Sequence, residues 1–159
     1  MPSTAVIFDL DGTLIDSLTD IAAAMNRCLA DIGAPQRTVA EYGRFIGEGT
    51  LRTTAKAAPE DADVPAIAAA FSALYTAEYV PHTRLFDGIS EAVVALKAAG
   101  VILGVLSNKP HPATVAIVER LFAPGTFAAV AGVKPGVPKK PDPTAALAQA
   151  CLLYTSPSP

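Results

Sequence analysis

The sequence predicts an α/β protein built on a doubly wound parallel sheet, with a small helical domain inserted after the first strand. Three observations carry that prediction. The apolar runs at 5–10 and 101–106 are uninterrupted, as in strands covered on both faces. Helical spacing follows each run, and 36–81 contains no strand-like run at all. Strands alternating with helices imply right-handed crossovers, and such sheets bind ligands outside the carboxyl ends of their strands. At 159 residues, with 51% hydrophobic and 17% charged, the chain can bury a core and lacks the composition of a disordered segment.

The first strand, 5–10, stops abruptly at Asp11-Gly12-Thr13 and reads as a central strand. Ser17-Leu18-Thr19-Asp20 then reads as a capping box, after which Leu18, Ile21, Met25 and Leu29 recur at helical spacing until Gly33-Ala34-Pro35 ends the helix. The stretches 41–58 and 65–80 are Ala-rich and helical, separated by the turn-like 59–63. After Asp87-Gly88, the spacing of Ile89, Val93, Leu96 and Lys97 predicts a helix closed by Gly100, and 101–106 a second buried strand. A third unit follows, with a helix over 112–122 and a short strand over 127–131. Six of the 14 prolines fall from Pro135 onward, which makes 133–143 a proline-rich loop before a last helical piece at 144–153.

A formal charge of −3 is too small to indicate a nucleic-acid partner, and Glu91 and Lys97 interrupt the most apolar stretch, so no membrane span is predicted. The opening residues lack the basic region of a secretion signal. Cys28 and Cys151 match neither a disulfide framework nor a metal box, which predicts reduced thiols in a cytoplasm. His82 and His111 have no partners at ligand spacing and read as surface residues. No feature specifies an oligomeric state.

The chemistry concentrates at strand ends. Asp9 and Asp11 alternate at the exit of a strand, so both carboxylates point to one side and repel unless a cation or a proton relieves them. Mg²⁺ takes one or two protein carboxylates plus substrate phosphate, which suits such a pair. A bare Asp-x-Asp is more often a strand ending in a turn. Ser107-Asn108 before Pro110 is, alone, more often a helix cap, and Lys140 alone a solvated loop lysine.

The wider context is Val6-Ile7-Phe8-Asp9-Leu10-Asp11-Gly12-Thr13-Leu14-Ile15-Asp16-Ser17, and it resembles the first motif of the haloacid dehalogenase-like hydrolases at nearly every position. Ser107-Asn108-Lys109 after its strand is similar to that family's second motif, and Lys139-Lys140-Pro141-Asp142-Pro143 to its third. Within the family the wording resembles most the phosphoglycolate phosphatases, which have a helical cap after the first motif. The resemblance implies a Rossmann-like core from 1–15 and 84–150, and a helical cap over 16–83. It implies Asp9 as nucleophile and Asp11 as general acid and base, both also at the metal, with Mg²⁺ as cofactor. It further implies that Thr13, Ser107, Asn108 and Lys140 hold phosphate, Thr13 also steadying Asp11. The partner would be a small phosphorylated metabolite, 2-phosphoglycolate by the closest wording. Asp11 argues against the carbon–halogen dehalogenases of the family, which are not expected to keep a second aspartate.

The family's pattern continues past its third motif into another strand and an acidic fourth motif, which completes the metal site. After Lys140 the only acid in this chain is Asp142. The expectation is therefore a fragment with residues 151–159 as a foreign tail, an impaired metal site, and an open edge on the first strand. A non-catalytic phosphate-binding or partner-binding remnant is the alternative to a phosphatase.

Overall fold

A computed structural model describes residues 4–79 and 82–155. The expected helix end at Val80, the cap residue Pro81, residues 1–3 of the leader reading and residues 156–159 of the tail lie outside them. The chain divides into two compact units, Met1–Ile15 with Leu85–Pro159, and Asp16–Arg84.

The first unit carries the predicted parallel sheet. Strands β1 (Ala5–Phe8), β4 (Ile102–Pro110) and β5 (Ala129–Val133) lie in the order β1-β4-β5, and both pairings are parallel. Ala5 faces Ile102 across the first pairing, and Gly104 faces Ala129 across the second. Among the described residues β1 is thus an edge strand. Its residues are half-buried, not enclosed as a central strand requires. Helices α5 (Ile89–Ala98), α6 (His111–Leu121) and α7 (Thr144–Thr155) complete the unit.

Two glycines show why the sheet is covered on both faces. A Cβ on Gly104 would meet Gln149 and Leu153 of α7 at 3.1 Å. A Cβ on Gly132 would meet the Lys109 carbonyl oxygen, Thr114 Oγ1 and the His111 Cα at 2.5, 2.5 and 2.7 Å. Ala129, the partner of Gly104, and Gly132 are an odd number of residues apart on one strand, so they point to opposite faces. Helix α7 therefore covers one face and α6 the other. The α7 helix runs through residues 151–155, where a foreign tail was expected, and Leu153 is buried against the sheet. Gln149 donates from Nε2 to the carbonyls of Val105 and Ala129, while its buried Oε1 has no hydrogen-bond partner among the described residues.

Strands β2 (Ile15–Asp16) and β3 (Arg84–Leu85) pair as a two-stranded ribbon where the chain passes from one unit to the other. The second unit contains α1 (Leu18–Asp31), α2 (Val39–Phe45), α3 (Thr50–Ala57), α4 (Val64–Leu74) and a π-helical turn at Tyr75–Tyr79. Met25, Leu29, Tyr42, Ile67 and Phe71 are buried in it. Asn26 clamps the entry to α2, donating to the Arg37 carbonyl at 2.8 Å and accepting from the Arg37 N–H at 2.9 Å and the Tyr42 hydroxyl at 2.8 Å.

Two local expectations are corrected. The predicted helix over 41–58 is two helices, because Gly47 (φ 121) and Gly49 (φ 90) adopt a backbone open to glycine and costly to any other residue. The capping box predicted at Ser17 does not form; Asp20 is drawn away to accept from Thr83 Oγ1 at 2.6 Å, and His82 Nδ1 lies 3.3 Å from it. A complete capping box sits instead at Thr38 and Glu41. No described helix is long and apolar enough to cross a membrane.

Candidate active site

Three segments of the first unit converge at the carboxyl end of its sheet. The first is the turn after β1. Leu10 is fully buried, which anchors the aspartates on either side of it, and its carbonyl accepts from the N–H groups of Thr13, Leu14 and Ile15. Gly12 at φ 79 makes that tight reversal possible. The second is the end of β4, and the third is the loop between β5 and α7, which carries Lys140.

The strand β4 corrects the expectation that Ser107 and Asn108 stand where a strand gives way to a helix. It continues through both to Pro110, which caps α6, and its register with β5 slips between Leu106 and Pro110. The extra residues form an irregular segment that turns polar side chains inward. Ser107 is buried and its Oγ accepts from the Lys109 N–H at 3.1 Å. Asn108 faces the third segment: Nδ2 donates to the Lys140 carbonyl at 3.0 Å, and Oδ1 accepts from the Lys140 N–H at 2.9 Å.

Each aspartate meets one lysine. Lys140 Nζ lies 2.7 Å from Asp9 Oδ1 and donates to the Leu106 carbonyl at 2.8 Å. Lys109 Nζ lies 2.6 Å from Asp11 Oδ1. The two pairs differ in environment. The side chains of Lys140 and Asp9 are 30% and 45% exposed, whereas those of Lys109 and Asp11 are 7% and 16% exposed. The outer pair is screened by water and can part for an incoming anion; the inner pair is held where solvent screens it little.

Of the residues singled out in the sequence, the structure brings Asp9, Asp11, Ser107, Asn108 and Lys140 to one strand-end region. Thr13 is exposed in the turn, and the side chain that steadies Asp11 is Lys109 rather than Thr13. Sequence reasoning passed over Lys109. No local signal marks it, since a lysine in a polar, proline-terminated segment reads the same whether it faces solvent or a carboxylate. Asp142, the one acid of the third segment, accepts from the Thr144 N–H, and the Thr144 side chain first and this N–H second hold its carboxyl below the usual range.

The oxygen donors at this site are hard ones, Asp9's carboxylate and the carbonyl and carboxylate of Asp11. They fit a cation such as Mg²⁺ that leaves its remaining positions to water and phosphate. Among the described residues no group of three or more His, Cys, Asp or Glu side chains gathers around a metal position.

Residues 6–151 match the family described as haloacid dehalogenase-like hydrolase. A phosphoglycolate phosphatase of Cereibacter sphaeroides is 33% identical over 165 residues, covering 96% of this chain and 76% of the relative. One from Thiobacillus denitrificans is 30% identical over 161 residues, covering 97% and 70%. Among solved structures, a protein described as a predicted phosphoglycolate phosphatase from Haemophilus somnus superposes with a TM-score of 0.80. It is 28% identical, with 95% of this chain and 71% of that one covered.

Proposed function

We propose, from the premise that the chain belongs to the haloacid dehalogenase-like hydrolases and is a phosphoric monoester hydrolase, that it cleaves small phosphate esters through an aspartyl-phosphate, with 2-phosphoglycolate as substrate. The observation that carries this reading is the pair of strand-end aspartates, each matched by a lysine, with the more exposed pair facing solvent. In this reading residues 16–83 form a cap that selects the ester, and the reaction takes place in a reducing cytoplasm.

Asp9 is the nucleophile. Its carboxylate oxygen bonds to phosphorus as the ester oxygen–phosphorus bond breaks, and Asp11, which enters this step in its protonated form, gives that proton to the departing alcohol. Asp11 then takes a proton from the water that attacks the acyl phosphate, releasing orthophosphate and restoring Asp9. Lys140 moves from Asp9 to the phosphoryl oxygens, whose charge it balances as the bond order changes. Ser107 and the backbone N–H groups at the end of β4 offer donors to those oxygens. Asp9 and Asp11 would hold Mg²⁺, which supplies charge neutralisation on the phosphate when bound.

A second reading is favoured by the absence of a third acidic ligand among the described residues: phosphate binding with impaired turnover. One experiment separates the two. Orthophosphate release from 2-phosphoglycolate and p-nitrophenyl phosphate is measured with Mg²⁺ and with a chelator, alongside Asp9→Asn. The phosphatase reading expects Mg²⁺-dependent turnover lost by at least a hundredfold in the variant, beyond the ~10²-fold lower bound for removing acid–base help. Orthophosphate binding without turnover would support the second reading instead.

A further inference from the structure

We propose that Asn108 is a positioning residue for Lys140, and that its side chain acts on the phosphoryl site through that lysine and not by touching phosphate. The proposal rests on the phosphatase reading and deepens it. The carboxamide engages one residue from both ends: Nδ2 donates to the Lys140 carbonyl, and Oδ1 accepts from the Lys140 N–H. Two bonds of opposite sense to one residue's N–H and C=O reproduce the hydrogen-bonded pair of an antiparallel ladder. Such a pair fixes both the distance and the rotation of the residue it holds.

The loop needs an external fixture. Two backbone hydrogen bonds within it are short-range, from Val137 N–H to the Lys134 carbonyl and from Asp142 N–H to the Lys139 carbonyl. Lys140 reaches the site on a flexible four-carbon stem, so its ammonium goes where the backbone and its acceptors direct it. Both references lie on one strand. Asn108 holds the backbone of Lys140, and Leu106, two residues earlier on β4, offers the carbonyl that receives its ammonium at 2.8 Å. Asp9 takes the same ammonium at 2.7 Å, so the lysine is placed between the nucleophile and the end of β4. An asparagine serving as a phosphate ligand would turn its amide toward the ester. Here the oxygen and an N–H are committed to the loop.

The test is a double-mutant cycle on p-nitrophenyl phosphate with wild type, Asn108→Ala, Lys140→Ala and the double variant. Misplacing a catalytic group by about an ångström costs on the order of 10²-fold, so Asn108→Ala should lower kcat roughly 10- to 100-fold. In the Lys140→Ala background the same change should cost less than about twofold, because nothing remains to be placed. An equal loss in both backgrounds overturns the proposal, since a phosphate contact or a purely structural role would persist without the lysine.

A second readout needs no substrate. Hydrogen exchange at the Lys140 amide, followed by NMR, should be faster by about fivefold in Asn108→Ala, the value of one modest hydrogen bond. It should stay protected in Asn108→Asp, which keeps an acceptor oxygen. Equal protection in Asn108→Ala and wild type overturns the clamp. If the wild type hydrolyses no phosphate ester, the phosphatase reading fails, and the exchange measurement alone decides the clamp.

Discussion

Replacing Gly132 by alanine tests whether the fold and the site share one packing contact. Residue 132 lies on β5, where a Cβ would sit 2.5 Å from the Lys109 carbonyl oxygen and from Thr114 Oγ1, and 2.7 Å from the His111 Cα. Ordinary contact begins at 3.4 Å, so β5 must part from the end of β4 and from α6 by about 0.9 Å. Two of the three obstacles are backbone atoms, so no side-chain rotation relieves them. Thr114 is itself held, since its hydroxyl donates to the Pro110 carbonyl at 3.1 Å. The Gly132 N–H donates to His111 Nδ1 at 3.2 Å, and a displacement of that size breaks the bond.

Overpacking costs about 1–3 kcal/mol and the lost bond about 1 kcal/mol, which gives a destabilisation of roughly 2–4 kcal/mol. For a chain of this length that lowers Tm by roughly 5–15 °C. The assay is urea and thermal unfolding followed by circular dichroism, with turnover measured at a temperature where the variant remains folded. Because one of the crowded atoms is the carbonyl of Lys109, turnover of the folded variant should fall as well. Stability within about 0.5 kcal/mol of wild type would refute the packing argument. A destabilised variant with undiminished turnover would refute the coupling to the site.

Lys109→Met should destabilise the fold by about 3 kcal/mol, since it leaves the Asp11 carboxylate without its ammonium at a site only 16% exposed. Adding Asp11→Asn should recover most of the loss in urea unfolding, and a double variant no more stable than Lys109→Met would contradict this. Glu41 is held below the ordinary glutamate value of 4.5, first by the Thr38 N–H and then by the Thr38 hydroxyl. Its folded value lies under its unfolded one, so its contribution is complete above 4.5 and disappears as pH falls through the folded value. Glu41→Gln should therefore flatten the acid limb of the stability curve, and an unchanged limb would count against the capping box. Burial pushes the Tyr42 phenol up to about 12, so the stability it confers is whole below its ordinary value of 10 and is lost between 10 and 12. Ultraviolet titration should show late tyrosine ionisation, and Tyr42→Phe should reduce its amplitude by one residue.

The parts of this architecture that depend on hydrophobic periodicity were legible in the sequence. The parts decided by tertiary partners were not. The runs at Val6-Ile7-Phe8 and Leu103-Gly104-Val105 read as strands because apolar side chains cover both faces. Helix α1 was legible in its spacing but not in its cap, because Ser17 lost Asp20 to Thr83, a residue far along the chain. The break between α2 and α3 was written in Gly47-Glu48-Gly49, yet the alanines that follow it suggested a helical stretch over 41–58. At the site, Asp9, Asp11 and Lys140 were found through motif resemblance. Lys109 was not, because an alkyl-ammonium within a polar, proline-terminated segment has the same local pattern whether it faces solvent or a carboxylate.

The extension of β4 explains most of what the sequence left open, and it explains why Ser107, Asn108 and Lys109 divide their tasks. A regular strand would send alternate side chains to opposite faces of the sheet. The register slip between Leu106 and Pro110 relaxes that rule over the three residues where the site lies. Ser107 folds back on the Lys109 N–H, Asn108 reaches across to the Lys140 backbone, and Lys109 reaches Asp11. Strand β4 therefore touches both of the other segments, the turn after β1 through an ion pair and the Lys140 loop through an amide. As the middle strand of the sheet it is the element best fixed in place, with Leu103 and Val105 almost wholly buried. Two carboxylates and two ammonium groups leave the site formally neutral. Its more exposed lysine is the one that can turn to a phosphate, while the buried one keeps Asp11 in place.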